Sequence, residues 1–127
     1  MKNQVLVVGL GRFGSSVARS LYNLGHDVLA IDVDEERVRH IMGQVTYPVT
    51  GDATDEAVLK DLGVSEYEAA VVAVGADIVA SVLTCVLLKD IGVSYIVARA
   101  HDELHGNALE RIGVDKVIHT ESGMGVR

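Results

Sequence analysis

The chain has no tryptophan, one phenylalanine, one cysteine and one proline among its 127 residues, and each shortage narrows what it can be. With so few aromatics the core must come from Val, Leu, Ile and Ala, a composition that suits a parallel sheet buried on both faces. A single cysteine, Cys85, excludes an intrachain disulfide and a cysteine-cluster metal site; inside an apolar helical segment it reads as core packing. Positive charge is also scarce. Eleven Lys and Arg stand against 18 Asp and Glu, a formal net charge of −7, which argues against non-specific affinity for nucleic acid or an anionic membrane surface. The longest apolar runs are too short to cross a bilayer and no signal peptide precedes the first of them. The expectation is therefore a soluble, cytoplasmic protein with no direct membrane insertion. The length suits one domain with a substantial core and hardly two.

What the chain does have is glycine, 13 in all, and three of these organise it. Val5-Leu6-Val7-Val8 reads as a buried parallel strand, and Gly9-Leu10-Gly11-Arg12-Phe13-Gly14 follows at G-x-G-x-x-G spacing. Gly9 permits a tight turn off the strand, Gly11 lets the backbone close on a phosphate, and Gly14 lets the new helix pack against the sheet. The helix start presents unpaired N–H groups and a partial positive charge, which suits an anion. The next apolar run, Asp27 to Asp32, ends in a carboxylate roughly 20 residues beyond the glycines, where it meets a ribose hydroxyl in a dinucleotide-type site. A carboxylate there repels a 2′-phosphate and disfavours an NADP-type ligand.

Further along, the pattern alternates. Helical spacing is read over Phe13 to Leu24, with Val17, Leu21 and Leu24 on one face and Gly25 ending it. Asp34 is placed as N-cap of a helix from Glu35 to Ile41, and Val45 to Thr50 as a short strand set at an edge by Pro48. The loop Gly51-Asp52-Ala53-Thr54 leads into a helix from Asp55 to Leu62. Ala69 to Val74 reads as a fourth strand, and Ile78 to Lys89 as the most apolar helix, expected to pack on the sheet along most of its length. Tyr95 to Ala98, a helix from His101 to Ile112, and Lys116 to Ile118 complete the series. Alternation of this kind dictates right-handed crossovers and an α/β fold, a doubly wound, Rossmann-like, parallel six-stranded sheet in order 3-2-1-4-5-6.

Ligands of such sheets bind beyond the carboxyl ends of the strands, where strand order reverses. The residues at those junctions are the candidates. Arg12 is a cation at a helix N-terminus, where it opposes the dipole; this suggests a compensating anion held through paired hydrogen bonds. Asp52 and Thr54 suit either a helix cap or adenosine contact, and Ala73, Val74 and Gly75 offer backbone to an adenine edge, with Asp77 capping the next helix. Arg99 either faces the ligand or pairs with an acid. His101 and His105, four apart, have metal-ligand spacing without a third ligand, and so read as a solvated face. Glu121, by its chemistry alone, is an exposed acid.

With these residues laid out, the chain resembles the N-terminal nucleotide-binding lobe of RCK (KTN, or TrkA-N) domains, cytoplasmic regulators of potassium channels and transporters. It is most similar there to the regulatory subunit of Ktr-type uptake systems. The resemblance covers essentially residues 1–127 as a single domain. It is carried by Val8 to Gly14, Gly51 to Thr54, Val72 to Gly75, and Gly113 to Ile118 followed by His119-Thr120-Glu121 and Met124-Gly125. It implies a non-enzymatic role, with Gly9 to Gly14 on the phosphates, Asp32 on the ribose, and Asp52, Ala53 and Thr54 with Ala73 to Gly75 framing the adenosine. The Arg12-Phe13 pair is similar to members linked to ATP and ADP. Arg12 would then reach the terminal phosphate, and Glu121 would help bind Mg2+ or Ca2+ beside it. The implied partners are a membrane-embedded potassium transporter or channel subunit and further copies of the chain, as a dimer or an octameric ring; the implied location is cytoplasmic and peripheral to the membrane. Members of the family continue into a C-terminal lobe that this sequence lacks. Two other readings stay open: an NAD(H)-sensing module sharing the same site, and an NAD-dependent oxidoreductase. The second has no substrate domain and no Ser-His-Asp, Cys-His or Tyr-Lys constellation behind it.

Overall fold

The computed structural model describes residues 3–119. Six parallel strands form one sheet in order β3-β2-β1-β4-β5-β6, as the alternation requires. The strands are β1 (Gln4–Val8), β2 (Asp27–Asp32), β3 (Tyr47–Thr50), β4 (Ala69–Val72), β5 (Tyr95–Ala100) and β6 (Lys116–His119). Between them run α1 (Arg12–Asn23), α2 (Glu35–Ile41), α3 (Glu56–Asp61), α4 (Ile78–Ile91) and α5 (Glu103–Ile112), with one 3₁₀ turn over Val64–Glu66 before β4.

Strand periodicity divides the core in two. Leu6, Val8, Leu29 and Ile31 point toward α3, α4 and α5, where they meet Leu59, Cys85, Leu88 and Leu109. Val5, Val7, Val28 and Ala30 point the other way, against Leu10, Ala18, Val38 and Ile41 on the side of α1 and α2. Pairing of β1 with both β2 and β4 (Val8 opposite Ile31 and Val72) makes β1 the strand at which connection order reverses. Pro48 lies on β3, an edge strand, as its missing N–H demands.

The helix faces are less faithful to the pattern. Leu24, assigned to the inner face of α1, is 74% exposed; the buried residues of that helix are Gly14 and Ala18, with Leu21 packed beside them. Small residues win because α1 starts in contact with the strand ends and lies close to the sheet. The cap of α3 is Asp55, whose carboxylate accepts from Ala57 N at 3.0 Å, and not Asp52 or Thr54. On α4 the buried residues are Ser81, Thr84, Cys85 and Leu88, while Val79, Leu83 and Val86 are exposed. A helix apolar all round carries no moment to choose its face, and here three small side chains, Ser81, Thr84 and Cys85, take the sheet side together with Leu88.

His101 and His105 are also corrected. His101 precedes α5, whose N-cap is Asp102, and His105 is 2% exposed instead of solvated. The backbone N–H of His101 donates to His105 Nδ1 at 2.8 Å, so that nitrogen is an acceptor and the proton sits on Nε2, which donates to Ser81 Oγ at 2.9 Å. The neutral ring therefore ties α5 to α4. Burial holds its pKa below the ordinary 6.5; Asp102 acts in the opposite direction and His101 in the same one. Between that lowered value and about 6.5 the unfolded chain binds the extra proton. This contribution to stability is thus complete above about 6.5 and lost as pH falls through the folded value. Thermal midpoints are expected to fall as pH is lowered from 7.5 to 5.5, and His105→Asn is expected to flatten that dependence. Identical slopes for parent and variant would show that the ring does not titrate as its bonding requires.

Candidate nucleotide site

The glycine loop is built by two close approaches. Gly9 leaves β1 at φ +95°, and a Cβ there would lie 2.5 Å from the carbonyl oxygen of Ala73. Gly14 faces the carbonyl oxygen of Gly9 too closely for any side chain. Both glycines serve the fold: they let α1 start against the ends of β1 and β4. Gly11 is different. Its φ is −71°, open to any residue, and an added Cβ would meet nothing nearer than Arg37 Nη1 at 3.8 Å. Neither packing nor backbone strain requires a glycine there.

A second contrast lies in the caps. Asp34, Asp55, Asp77 and Asp102 each accept a backbone N–H at the start of α2, α3, α4 and α5. Gly11, at the head of α1, supplies no capping side chain, and the first turn of α1 holds no acid. The positive end of this helix is left without a counter-charge from its own first turn.

Asp32 anchors the opposite side. It is 8% exposed and accepts from Leu10 N at 2.7 Å through one carboxylate oxygen and from Asp34 N at 2.8 Å through the other. One side chain thus fixes both the glycine loop and the entry to α2. Two N–H donors leave lone pairs free on its oxygens. Beyond it, Thr54 donates through N (2.9 Å) and Oγ1 (2.6 Å) to the same oxygen of Asp52, and those two bonds hold the Asp52 carboxyl below its ordinary range. With its hydroxyl proton committed to Asp52, Thr54 Oγ1 remains an acceptor.

These parts enclose a cleft of about 240 Å³ at the carboxyl end of the sheet, lined by Gly9, Asp32, Asp52, Ala53, Thr54 and Val74 among others. Six residues expected from the sequence thus share one cavity. Gly11, Arg12, Phe13 and Gly14 form the adjoining loop and helix start. Ala73 sits behind Gly9 as a backbone neighbour, and Gly75 turns at φ +69°. Arg12 is exposed on the first turn of α1. Arg99 lies within β5 rather than past it, its guanidinium 5.2 Å from the centre of the Phe13 ring, a stacking that the sequence did not indicate. Glu121 lies outside the described residues.

The cleft is also lined by Gly51, which the sequence placed in the candidate loop, by Val33, which it did not name, and by Asp77 (expected as a helix cap), Ala80 and Thr84. The last three recur at helical spacing from the head of α4, a signal hidden by the apolarity of that helix. Among the described residues no group of three or more His, Cys, Asp or Glu side chains could hold a metal ion, so they build no metal site of their own. No helix among them is long and apolar enough to cross a membrane.

The site divides by chemistry. The α1 start offers donors and positive potential, suited to phosphate; Asp32 and Thr54 offer acceptors, suited to hydroxyl and amino groups. Replacing Gly9 or Gly14 with Ala is expected to lower the thermal midpoint strongly, and Gly11→Ala to leave it nearly unchanged. Asp32→Ala should destabilise by about 1–3 kcal/mol, because Leu10 N is left buried and unpaired. Denaturant titration of the four variants measures this, and a Gly11→Ala variant as unstable as Gly14→Ala would contradict the division of labour.

Comparison with known proteins agrees with this architecture. Residues 5–120 match the TrkA-N domain. The chain is 44% identical over 124 residues to Ktr system potassium uptake protein A of Bacillus subtilis, covering 98% of this chain and 56% of that protein. It is 41% identical over 127 residues to Ktr system potassium uptake protein C of the same organism, covering 100% of this chain and 58% of that protein. The chain therefore spans a little over half the length of these relatives. Among solved structures, the TrkA-N domain of the Escherichia coli inner membrane protein ybaL superposes with a TM-score of 0.86 at 19% identity, covering 98% and 93% of the two chains. An AMP-bound Kef C-terminal domain from Shewanella denitrificans superposes with a TM-score of 0.79 at 24% identity, covering 98% and 76%. The NAD-bound GsuK channel gives a TM-score of 0.78 at 19% identity, covering 93% and 21%. At such identities the likeness to the solved structures is one of fold. The sequence matches go further: this chain belongs to the TrkA-N domain family.

Proposed function

We propose that this chain is a nucleotide-binding regulatory unit of a potassium uptake system, taking ATP or ADP in the cleft between β1 and β4. The observation that carries the reading is the start of α1: an uncapped helix N-terminus, headed by a glycine the fold does not need, opening beside acceptor-lined walls. A nucleotide matches each part, with its phosphates over Gly11 to Gly14, its ribose hydroxyls on Asp32, and its base among Asp52, Ala53, Thr54 and the Ala73 to Gly75 turn. The relatives named as Ktr potassium uptake proteins support a membrane-embedded potassium transporter or channel as the partner, reached from the cytoplasmic side. The same names support a non-enzymatic role. Binding alone transmits nothing; the nucleotide must favour one arrangement of the assembly over another.

Arg12, a fixed cation at the phosphate loop, would read the terminal phosphate of ATP. Glu121 would supply an oxygen to a divalent cation held mainly by that ligand's phosphates. NAD(H) is the second reading, favoured by the fold shared with NAD-bound GsuK and by a carboxylate at the ribose position. Calorimetry with ATP, ADP, NAD and NADH separates the two. Gly11→Val is expected to fold and to lose nucleotide binding, and Arg12→Ala to weaken ATP more than ADP. A folded Gly11→Val variant that binds as the parent does would show the phosphate loop to be misplaced, and uniform weakening of all ligands by Arg12→Ala would favour NAD(H).

The outward face of α4 supports the self-association that the family likeness implies. Ile78, Val79, Val82, Leu83 and Val86 line a groove of about 340 Å³ with no polar wall, and Val79 is 75% exposed. A second copy would cover it by aliphatic packing. Sedimentation is expected to show at least a dimer that Val79→Glu weakens; a parent monomeric throughout a concentration series would contradict this.

A further inference from the structure

Anions are poorly served by the walls of the cleft. Asp32, Asp52 and Asp77 all line it, and no Lys or Arg does so among the described residues. The chain as a whole carries a formal charge of −7. A phosphate at the α1 start would adjoin this acidic cleft, and the dipole of one helix is a modest counterweight to three carboxylates.

Arg37, on the first turn of α2, stands at the point where that balance is decided. Its Nη1 lies 3.8 Å from Asp32 Oδ2, and its Nε lies 3.8 Å from Asp34 Oδ2. The same Nη1 is 3.8 Å from the position a Cβ would take on Gly11. The guanidinium therefore spans from the ribose carboxylate to the space over the phosphate loop. Both ion-pair distances exceed hydrogen-bond length, and the side chain is about half exposed, so its donors are not consumed by the fold. An arginine presents five N–H donors in a planar fork matched to phosphate oxygens.

Building on the nucleotide reading above, we infer that Arg37 is a specificity-determining residue of the cleft, which screens Asp32 and Asp34 and donates to the phosphate nearest the ribose. This role differs from that of Arg12 at the far end of the phosphate chain. It also explains how an acidic cleft admits a polyanion: the cation that offsets Asp32 is brought by α2, through the turn that Asp32 itself fixes by accepting from Asp34 N. A ligand without a phosphate has nothing for this side chain to hold.

The test is a charge series, adenosine, AMP and ADP, titrated by calorimetry into the parent, Arg37→Ala and Arg37→Lys at low and moderate salt. Arg37→Ala is expected to weaken AMP and ADP roughly tenfold while moving adenosine less than about twofold, and to flatten the salt dependence of ADP binding. Arg37→Lys should recover part of the loss. Thermal midpoints of both variants are expected to stay near that of the parent, since the side chain is exposed and its pairs are long. Equal weakening of adenosine and ADP would make Arg37 a structural prop for the loop, and unchanged ADP binding would remove it from the site. A parent that binds none of the three overturns the nucleotide reading and this inference together; a parent that binds ADP as well as Arg37→Ala does overturns only the role of Arg37.

Discussion

The carboxylate of Asp32 joins two backbone segments that the fold must hold together. One oxygen takes the N–H of Leu10, in the middle of the glycine loop, and the other takes that of Asp34, at the cap of α2. Neither N–H belongs to a strand ladder, and Leu10 is buried, so an unpaired donor there would be costly. Further backbone bonds close the same region: Gly9 N to Ile31 O at 2.9 Å, Ala73 N to Val8 O at 2.7 Å and Gly51 N to Asp32 O at 3.0 Å. The ends of β1, β2 and β4 and the start of the loop after β3 are thereby locked into one rim. The cleft is the space this rim leaves.

That rim explains why some glycines are structural and one is not. Gly9 and Gly14 are wedged against carbonyl oxygens, so the crossing of α1 over the sheet depends on them. A Cβ added to Gly11 would approach only the end of Arg37. The three glycines look alike in sequence, and only the spatial neighbours separate the two that build the loop from the one that packing does not require. The caps sort in the same way: an aspartate side chain caps α2 through α5, while α1, whose start adjoins Asp32, has no side-chain cap.

Strand order, the edge position of Pro48 and the boundaries of β2 and α2 were legible in the sequence. The order rests on the alternation of strands and helices along the chain, and the others on local signals: a missing N–H, a short apolar run, an aspartate before a helical stretch. The lining of the cleft was legible where the junction rule applies, at Gly9, Asp32, Asp52 to Thr54 and Val74. What could not be read depends on which face a helix turns. Leu24 belonged to the apolar stripe and lies outside because α1 ends at Asn23 and leaves Leu24 as its C-cap, past the face that carries Gly14, Ala18 and Leu21. His105 looked like a surface residue because its partners, Ser81 and the backbone of His101, come from two separate segments. No motif or spacing in the sequence singles out Arg37, and its nearness to Gly11 exists only after β1 and β2 pair.

If the open start of α1 is a phosphate site, its amide groups must respond to a phosphate-bearing ligand. The most direct measurement is an amide NMR titration of the chain with ADP. The expected result is that Gly11, Arg12, Phe13 and Gly14 show the largest downfield shifts, accompanied by Thr54 and Val74 across the cleft. Saturable shifts confined to other parts of the molecule, such as the outward face of α4, with the four loop amides unmoved, would contradict the account.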